Sequence, residues 1–152
     1  MITAYTDGSA IVSGEKLGGF GVYIIDEEGR EYFYSEGYKN TKTGRMELMA
    51  IITALQKVDK SKRLTIYSDS MYCVNCVEAN WLWKWRQRLW TDIKNVDLVK
   101  KYLEEYEKFK FPPKLVHIKG HTKNDDIHSL GNAIVDKLAD YKTKIDYKID
   151  LL

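Results

Sequence analysis

Four acidic side chains, Asp7, Glu47, Asp69 and Asp136, fall at strand-end and helix positions that can meet. Glu47 is the sharpest case. From Met46 to Leu55 nearly every other residue is apolar or small, and a helix apolar on most of its circumference is buried. A buried carboxylate without a partner is costly or is driven neutral. Arg45 precedes Glu47 closely, but near neighbours on a helix do not face each other, so a bound cation is the better partner. Asp7, in Thr6-Asp7-Gly8-Ser9, and Asp69, in Ser68-Asp69-Ser70, each end a strand-like run. Asp136 shares a helix face with Ala133 and Ala139, whose small size leaves room around it, while Ile134, Leu138, Tyr141 and Ile145 form the core stripe. Each acid has a plainer alternative: a turn for Asp7, a helix cap at Ser68 to Ser70, a solvated helix acid at Asp136. Gathered together, four acids repel one another unless cations lie between them. Hard oxygen ligands suit Mg²⁺, with Mn²⁺ as a substitute. Two such ions about 4 Å apart form a clamp for in-line displacement at phosphorus, which points to phosphodiester chemistry.

The elements that must bring these acids together are legible in outline. Residues 2–9 read as a strand entering a loop, 18–25 as a second strand, and 31–35 as a third after the turn 26–29. Short connections make these an antiparallel meander. A buried helix over 44–58 crosses to a fourth strand at 63–68. Helical segments follow after Ser70 to about Ala79, through 81–90, and at 96–109, where Val99, Leu103 and Tyr106 mark the apolar face. A fifth strand at 114–119, a polar loop from Gly120 to Gly131 and a last helix from Asn132 to about Lys144 complete the chain. This is an α/β chain with a five-stranded mixed sheet in the order 3-2-1-4-5 and helices on both faces. Parallel strands one and four would then put Asp7 and Asp69 at one sheet edge, with Glu47 projecting toward it.

The chain's 152 residues fit one domain, 1–152, with a single substantial core. A net charge of +2 says little, but its distribution says more. Trp81-Leu82-Trp83-Lys84-Trp85-Arg86-Gln87-Arg88-Leu89-Trp90 interleaves all four tryptophans with three cations. Lys94, Lys100 and Lys101 outnumber Asp92 and Asp97 in the following stretch, so this third of the chain is basic and suits a phosphate backbone. The plainer alternative packs Trp81, Trp85 and Leu89 down and leaves the cations solvated. Cys73 and Cys76 lie in an apolar stretch with no further ligands nearby, and read as buried, inert thiols. No apolar run approaches a membrane span and no signal-peptide pattern opens the chain. No membrane partner, a cytoplasmic setting and a monomer are expected.

Thr6-Asp7-Gly8-Ser9, Arg45-Met46-Glu47-Leu48-Met49-Ala50, Ser68-Asp69-Ser70 with Tyr72, Lys94-Asn95-Val96-Asp97-Leu98, Lys119-Gly120-His121 and Asp136-Lys137-Leu138-Ala139 together resemble ribonuclease H of the cellular type 1 class. The motifs occur in the family's order and span essentially the whole chain. The resemblance implies the ribonuclease H-like fold and cleavage of the RNA strand of RNA–DNA hybrids, leaving 5′-phosphate and 3′-hydroxyl ends. It carries the catalytic and metal-binding carboxylates onto Asp7, Glu47, Asp69 and Asp136. A loop histidine that assists the reaction or product release falls on His121, from its Lys-Gly-His setting. His128 competes for that role, because the stretch between His121 and Asp136 is longer than the family usually shows. Trp81, Lys84, Trp85, Arg86, Arg88 and Lys94 fall in the basic protrusion that grips the DNA strand. Backbone at Gly8, Ser9, Gly44, Arg45 and Met46 is placed for minor-groove contacts with 2′-hydroxyls. Thr41 and Thr43 are candidate phosphate or sugar ligands, and Met71 occupies a position where a polar base-contacting residue is common. Ala133 stands where many relatives carry an acid.

Overall fold

Extended, β-branched and aromatic runs form the first three strands, Ile2–Ala10 (β1), Gly18–Ile25 (β2) and Glu31–Lys39 (β3). The structure is a computed structural model and describes residues 1–119, 127–144 and 146–150. The strands pair as an antiparallel meander, with Asp7 opposite Gly21 and Gly21 opposite Ser35. Helix α1 (Thr43–Lys57) then leads to β4 (Leu64–Ser68), α2 (Met71–Glu78), α3 (Trp81–Gln87) and α4 (Val96–Tyr106). Strand β5 (Lys114–His117), helix α5 (Ile127–Ala139), a 3-10 turn at Tyr141–Thr143 and β6 (Tyr147–Ile149) follow. The sheet order is β5-β4-β1-β2-β3-β6, with β4 parallel to both β1 and β5. The expected 3-2-1-4-5 arrangement is therefore present, but the sheet has six strands and not five. Strand β3 runs on to Lys39, and this extension supplies the edge against which Gly37–Lys39 pair with Tyr147–Ile149. A three-residue strand carrying Lys148 has too little alternation to announce itself locally.

Each sheet face is covered differently. On one, α1 lays Leu48, Ile51 and Leu55 against Ala4, Val22 and Ile66, all essentially without solvent exposure, and α2 and α4 close the sides. On the other, α5 covers a row of rings. Phe33, Tyr23, Tyr5 and Tyr67 are opposite one another in register and stack at centroid separations of 4.9, 5.9 and 5.2 Å. Gly131 lies directly on this row: a Cβ there would sit 2.6 Å from the Tyr5 ring. The glycine lets α5 approach the sheet, so helix Ile127–Ala139 runs through a residue that reads locally as loop. It ends at Ala139, earlier than Lys144, where Asp140 accepts a hydrogen bond from the Lys142 amide at 2.9 Å. The buried line of α5 is Asn132, Val135 and Ala139; Ile134 and Leu138 are half-buried, Tyr141 lies beyond the helix and Ala133 is exposed. Ile145 lies outside the described residues. Helix α4 likewise stops at Tyr106, before Phe109. No described helix is long and apolar enough to cross a membrane.

Candidate active site

Strand register sets the first pair of acids. The last pairing between β1 and β4 is Thr6 with Ser68, so Asp7 and Asp69 are the next residues on two parallel neighbours. Asp7 is not at the end of its strand, because β1 continues to Ala10 along β2. It is the point where β1 loses β4 as a partner, and that divergence opens the site. Gly8 then permits the third acid to approach: a Cβ at Gly8 would lie 2.4 Å from the Glu47 backbone nitrogen. The first turn of α1 rests on this bare stretch of β1, which holds Glu47 close to the Asp7–Asp69 edge. Asp136 arrives from the opposite sheet face on α5.

These acids perturb one another. Burial, then the charge of Asp69, pushes the Asp7 carboxyl up to about 8; Asp136 adds its charge and a carboxyl–carboxyl hydrogen bond, against which the Gly8 amide pulls down. Such a bond needs a proton on one partner. Burial also raises Glu47, a hydrogen bond with Ser70 lowers it, and the charge of Asp69 raises it again. Among the described residues, neither Asp7 nor Glu47 is ion-paired to a lysine or arginine. Asp7 and Glu47 are thus two buried carboxyl groups with no lysine or arginine beside them among the described residues, the electrostatic setting a divalent cation fits. As the side chains stand, no three His, Cys, Asp or Glu among the described residues are arranged to hold one metal ion. The backbone gathers the acids, but it does not close them into a cage.

The joint carrying Asp69 is built from side chains. Ser70 caps α2, its hydroxyl accepting from the Cys73 amide at 3.2 Å, and the Ser70 amide donates to Ser68 Oγ at 3.0 Å. The capping alternative and the acid's placement are thus both realised in one turn. His117 Nε2 lies 3.2 Å from the Asp69 carbonyl oxygen, a contact absent from the sequence reading. Only the pairing of Ser68 with His117 in β5 could have revealed it. His128 faces elsewhere: its Nδ1 is 3.0 Å from the Tyr5 hydroxyl, and its ring is 4.3 Å from that of Tyr67. It extends the aromatic row beneath α5. His121 lies outside the described residues. Cys73 and Cys76 are fully buried free thiols, both pushed up by burial.

The proposed nucleic-acid contacts divide into exposed and enclosed residues. Lys84, Arg86, Arg88 and Lys94 are exposed, Met71 is half exposed, and Trp81 and Trp85 cluster with Tyr72 at 6.2 and 6.4 Å. Arg86 is paired with Glu107 at 2.8 Å. Leu82 and Trp83 pack α3 down, whereas Leu89 is 85% exposed and anchors nothing. Thr43 is exposed and holds Ala10 through its amide and carbonyl, and Gly44 faces open space. Ser9 is half-buried and donates to the Ala139 carbonyl. Thr41, Arg45 and Met46 have enclosed side chains, so a duplex could meet them only through backbone. Thr41 donates to Asp150 at 2.8 Å, and Arg45 is surrounded by Asp97 and Asp150.

A cleft of about 420 Å³ opens beside Asp136, between Ser9–Ile11 and Lys137, Asp140, Tyr141 and Lys142. A larger hollow of about 570 Å³, lined by Tyr34, Tyr38, Met49, Ile52 and Lys57, contains none of the four acids. For a polymer lying across the surface, hollow size is no guide to the chemistry.

The RNase H family model matches residues 1–144. A ribonuclease H from Lachnoclostridium phytofermentans is 41% identical over 67% of this chain and 70% of its own length. One from Trichodesmium erythraeum is 36% identical over 99% of this chain and 91% of its own. Among solved structures, a prototype foamy virus protease–reverse transcriptase superposes with a TM-score of 0.78 at 26% identity. It is matched over 91% of this chain, which spans 20% of the viral one. A foamy viral protease–reverse transcriptase in complex with dsDNA gives 0.73 at 26% identity, over 91% of this chain and 90% of that one.

Proposed function

The chain belongs to the ribonuclease H family and is a hydrolase acting as an endoribonuclease, and from that premise we propose that it cuts the RNA strand of RNA–DNA hybrids by in-line hydrolysis, leaving 5′-phosphate and 3′-hydroxyl ends. The family generally uses divalent metal ions. In this reading Asp7, Glu47, Asp69 and Asp136 would hold two Mg²⁺ ions, with Mn²⁺ able to substitute. When bound, the pair would supply an activated water and stabilise the leaving oxygen. Support comes from one observation above the rest: the fold buries Asp7 and brings Asp69 and Asp136 against it, which together drive its carboxyl up to about 8. A fold that needed no cation there would lose nothing by separating these acids.

The protein's own residues would do the rest by position. Gly8 lets α1 lie close enough to β1 for Glu47 to reach the shared edge, and the Ser70 hydroxyl hydrogen-bonds Glu47. Exposed Lys84, Arg88 and Lys94 would meet phosphates of the DNA strand, beside the platform of Tyr72, Trp81 and Trp85. Backbone at Gly8, Ser9 and Gly44 would read 2′-hydroxyls across the minor groove. His121 would assist proton transfer or product release. In this reading residues 1–152 act as one ribonuclease H domain, monomeric and in the cytoplasm, on a hybrid duplex.

The test is incubation with Mg²⁺ and end-labelled RNA–DNA hybrid, duplex DNA or duplex RNA, followed by analysis of product ends. Cleavage confined to RNA in the hybrid, with 5′-phosphate ends, is expected. Cutting of duplex DNA, or binding of hybrid without cutting, would defeat the proposal.

A further inference from the structure

We infer that His117 is a positioning residue for Asp69: its Nε2–H donates to the Asp69 carbonyl and fixes the peptide that carries this carboxylate. The inference rests on the hydrolytic reading given above. A carbonyl oxygen only accepts, so the contact at 3.2 Å assigns the proton to Nε2. That donor is present whether the ring is neutral or protonated.

At the joint between β4 and α2 the regular backbone ladders of both elements stop. The β4 ladder to β1 ends at Thr6–Ser68, and the last backbone bond from β5 is from Ile118 N–H to Ser68 O at 2.9 Å. On the far side, the α2 ladder begins with Val74 N–H to Ser70 O at 3.1 Å. The Asp69 carbonyl falls between the two ladders. Ser68 Oγ restrains the joint from one side, through the Ser70 amide. His117, exposed at the end of β5 and opposite Ser68 in register, restrains it from the other. If the Asp69 peptide rotates, its carboxylate swings relative to Asp7 and Glu47, and oxygen ligands tolerate little displacement.

Three substitutions test this. His117→Gln places an amide N–H at about the reach of Nε2, His117→Asn places one near Nδ1, and His117→Ala removes the donor. For Ala and Asn, kcat on the hybrid should fall about 10-fold with KM unchanged, and Gln should restore most of it. Because His117 is exposed, all three should keep the wild-type melting temperature to within about 2 °C. In the metal-free protein, the ¹⁵N shift of the Ser70 amide, bonded to the Asp69 carbonyl carbon, should move in Ala and Asn and return in Gln. An unperturbed kcat in Ala, Gln as impaired as Ala, or a Ser70 shift that ignores all three would overturn the assignment. Should the wild-type protein fail to cleave hybrid, the hydrolytic reading falls on its own, and the metal-free spectrum still decides the hydrogen bond.

Discussion

Arg45 and Glu47 sit two residues apart near the N-terminus of α1, and both carry charge out of bulk water, yet the fold treats them oppositely. Arg45 is 3% exposed and enclosed by carboxylates. Its Nε and Nη2 donate to Asp150 at 2.7 and 2.9 Å, and Nη1 and Nη2 donate to Asp97 at 3.0 and 2.7 Å. These hydrogen bonds hold the guanidinium well above its ordinary range and hold Asp97 below the usual carboxylate range. Glu47 instead meets the Ser70 hydroxyl and the like charge of Asp69, and burial pushes it up. One cluster is closed by the protein's own counter-charges. At the other, Asp7 and Glu47 have no lysine or arginine partner among the described residues. Buried charge of the first kind stabilises a fold once formed, and buried charge of the second kind is tolerated for chemistry.

Breaking the open cluster should give the largest effect on activity. Asp7→Asn is expected to lower turnover by about 10³-fold or more, measured on the hybrid at saturating Mg²⁺. The same change should raise the melting temperature of the metal-free protein. A carboxyl whose folded value of about 8 lies above its ordinary 3.8 binds more protons in the folded state, so its ionisation favours unfolding as pH rises between those values. The advantage of Asp7→Asn should therefore be absent below pH 3.8 and grow toward pH 8. A variant that melts lower than wild type at pH 8 would contradict the picture of mutual repulsion.

Breaking the closed cluster should act on stability. Arg45→Met leaves Asp150, 3% exposed, without its counter-charge, and should cost roughly 3–5 kcal/mol in denaturant titration. Were Arg45→Met as stable as wild type, the cluster would not be the closed unit described. The distinction between open and closed charge extends to the basic segment, where Arg86 is paired with Glu107 but Lys84 and Arg88 lack ion-pair partners among the described residues. Lys84→Ala with Arg88→Ala should reduce the salt slope of hybrid binding by about 1 to 2, while Arg86→Ala alone should change it less. An equal or larger effect of Arg86→Ala would erase that contrast. Asp97→Asn should be smallest: its side chain is 56% exposed, so its share of the Arg45 cluster is screened and should be worth about 1 kcal/mol or less, vanishing further in high salt.

Much of the site was legible because its signals are local. A carboxylate inside the apolar run of α1 needs no partner structure to look anomalous, and Asp7 and Asp69 follow strand-like runs whose parallel pairing the right-handed crossover requires. Other features were hidden for an equally physical reason. Gly131 looks like the end of a loop until the Tyr5 ring is known to lie beneath it. His128 looks like a loop group until Tyr5 and Tyr67 occupy it. Strand β6 exists because β3 offers an edge, and its own three residues carry no pattern.

Local patterning marked out five of the strands and the helices in outline, the four acids as candidates and the basic Trp-rich segment, because each depends on residues within a few turns of one another. Tertiary structure decided which charges are balanced. Arg45 and Asp150 are 105 positions apart, and Arg45 and Asp97 are 52 apart. No local rule pairs residues across such intervals. They meet only because burying the apolar face of α1 fixes where every remaining element must pack, and the side chains left facing one another then either find an opposite charge or wait for one.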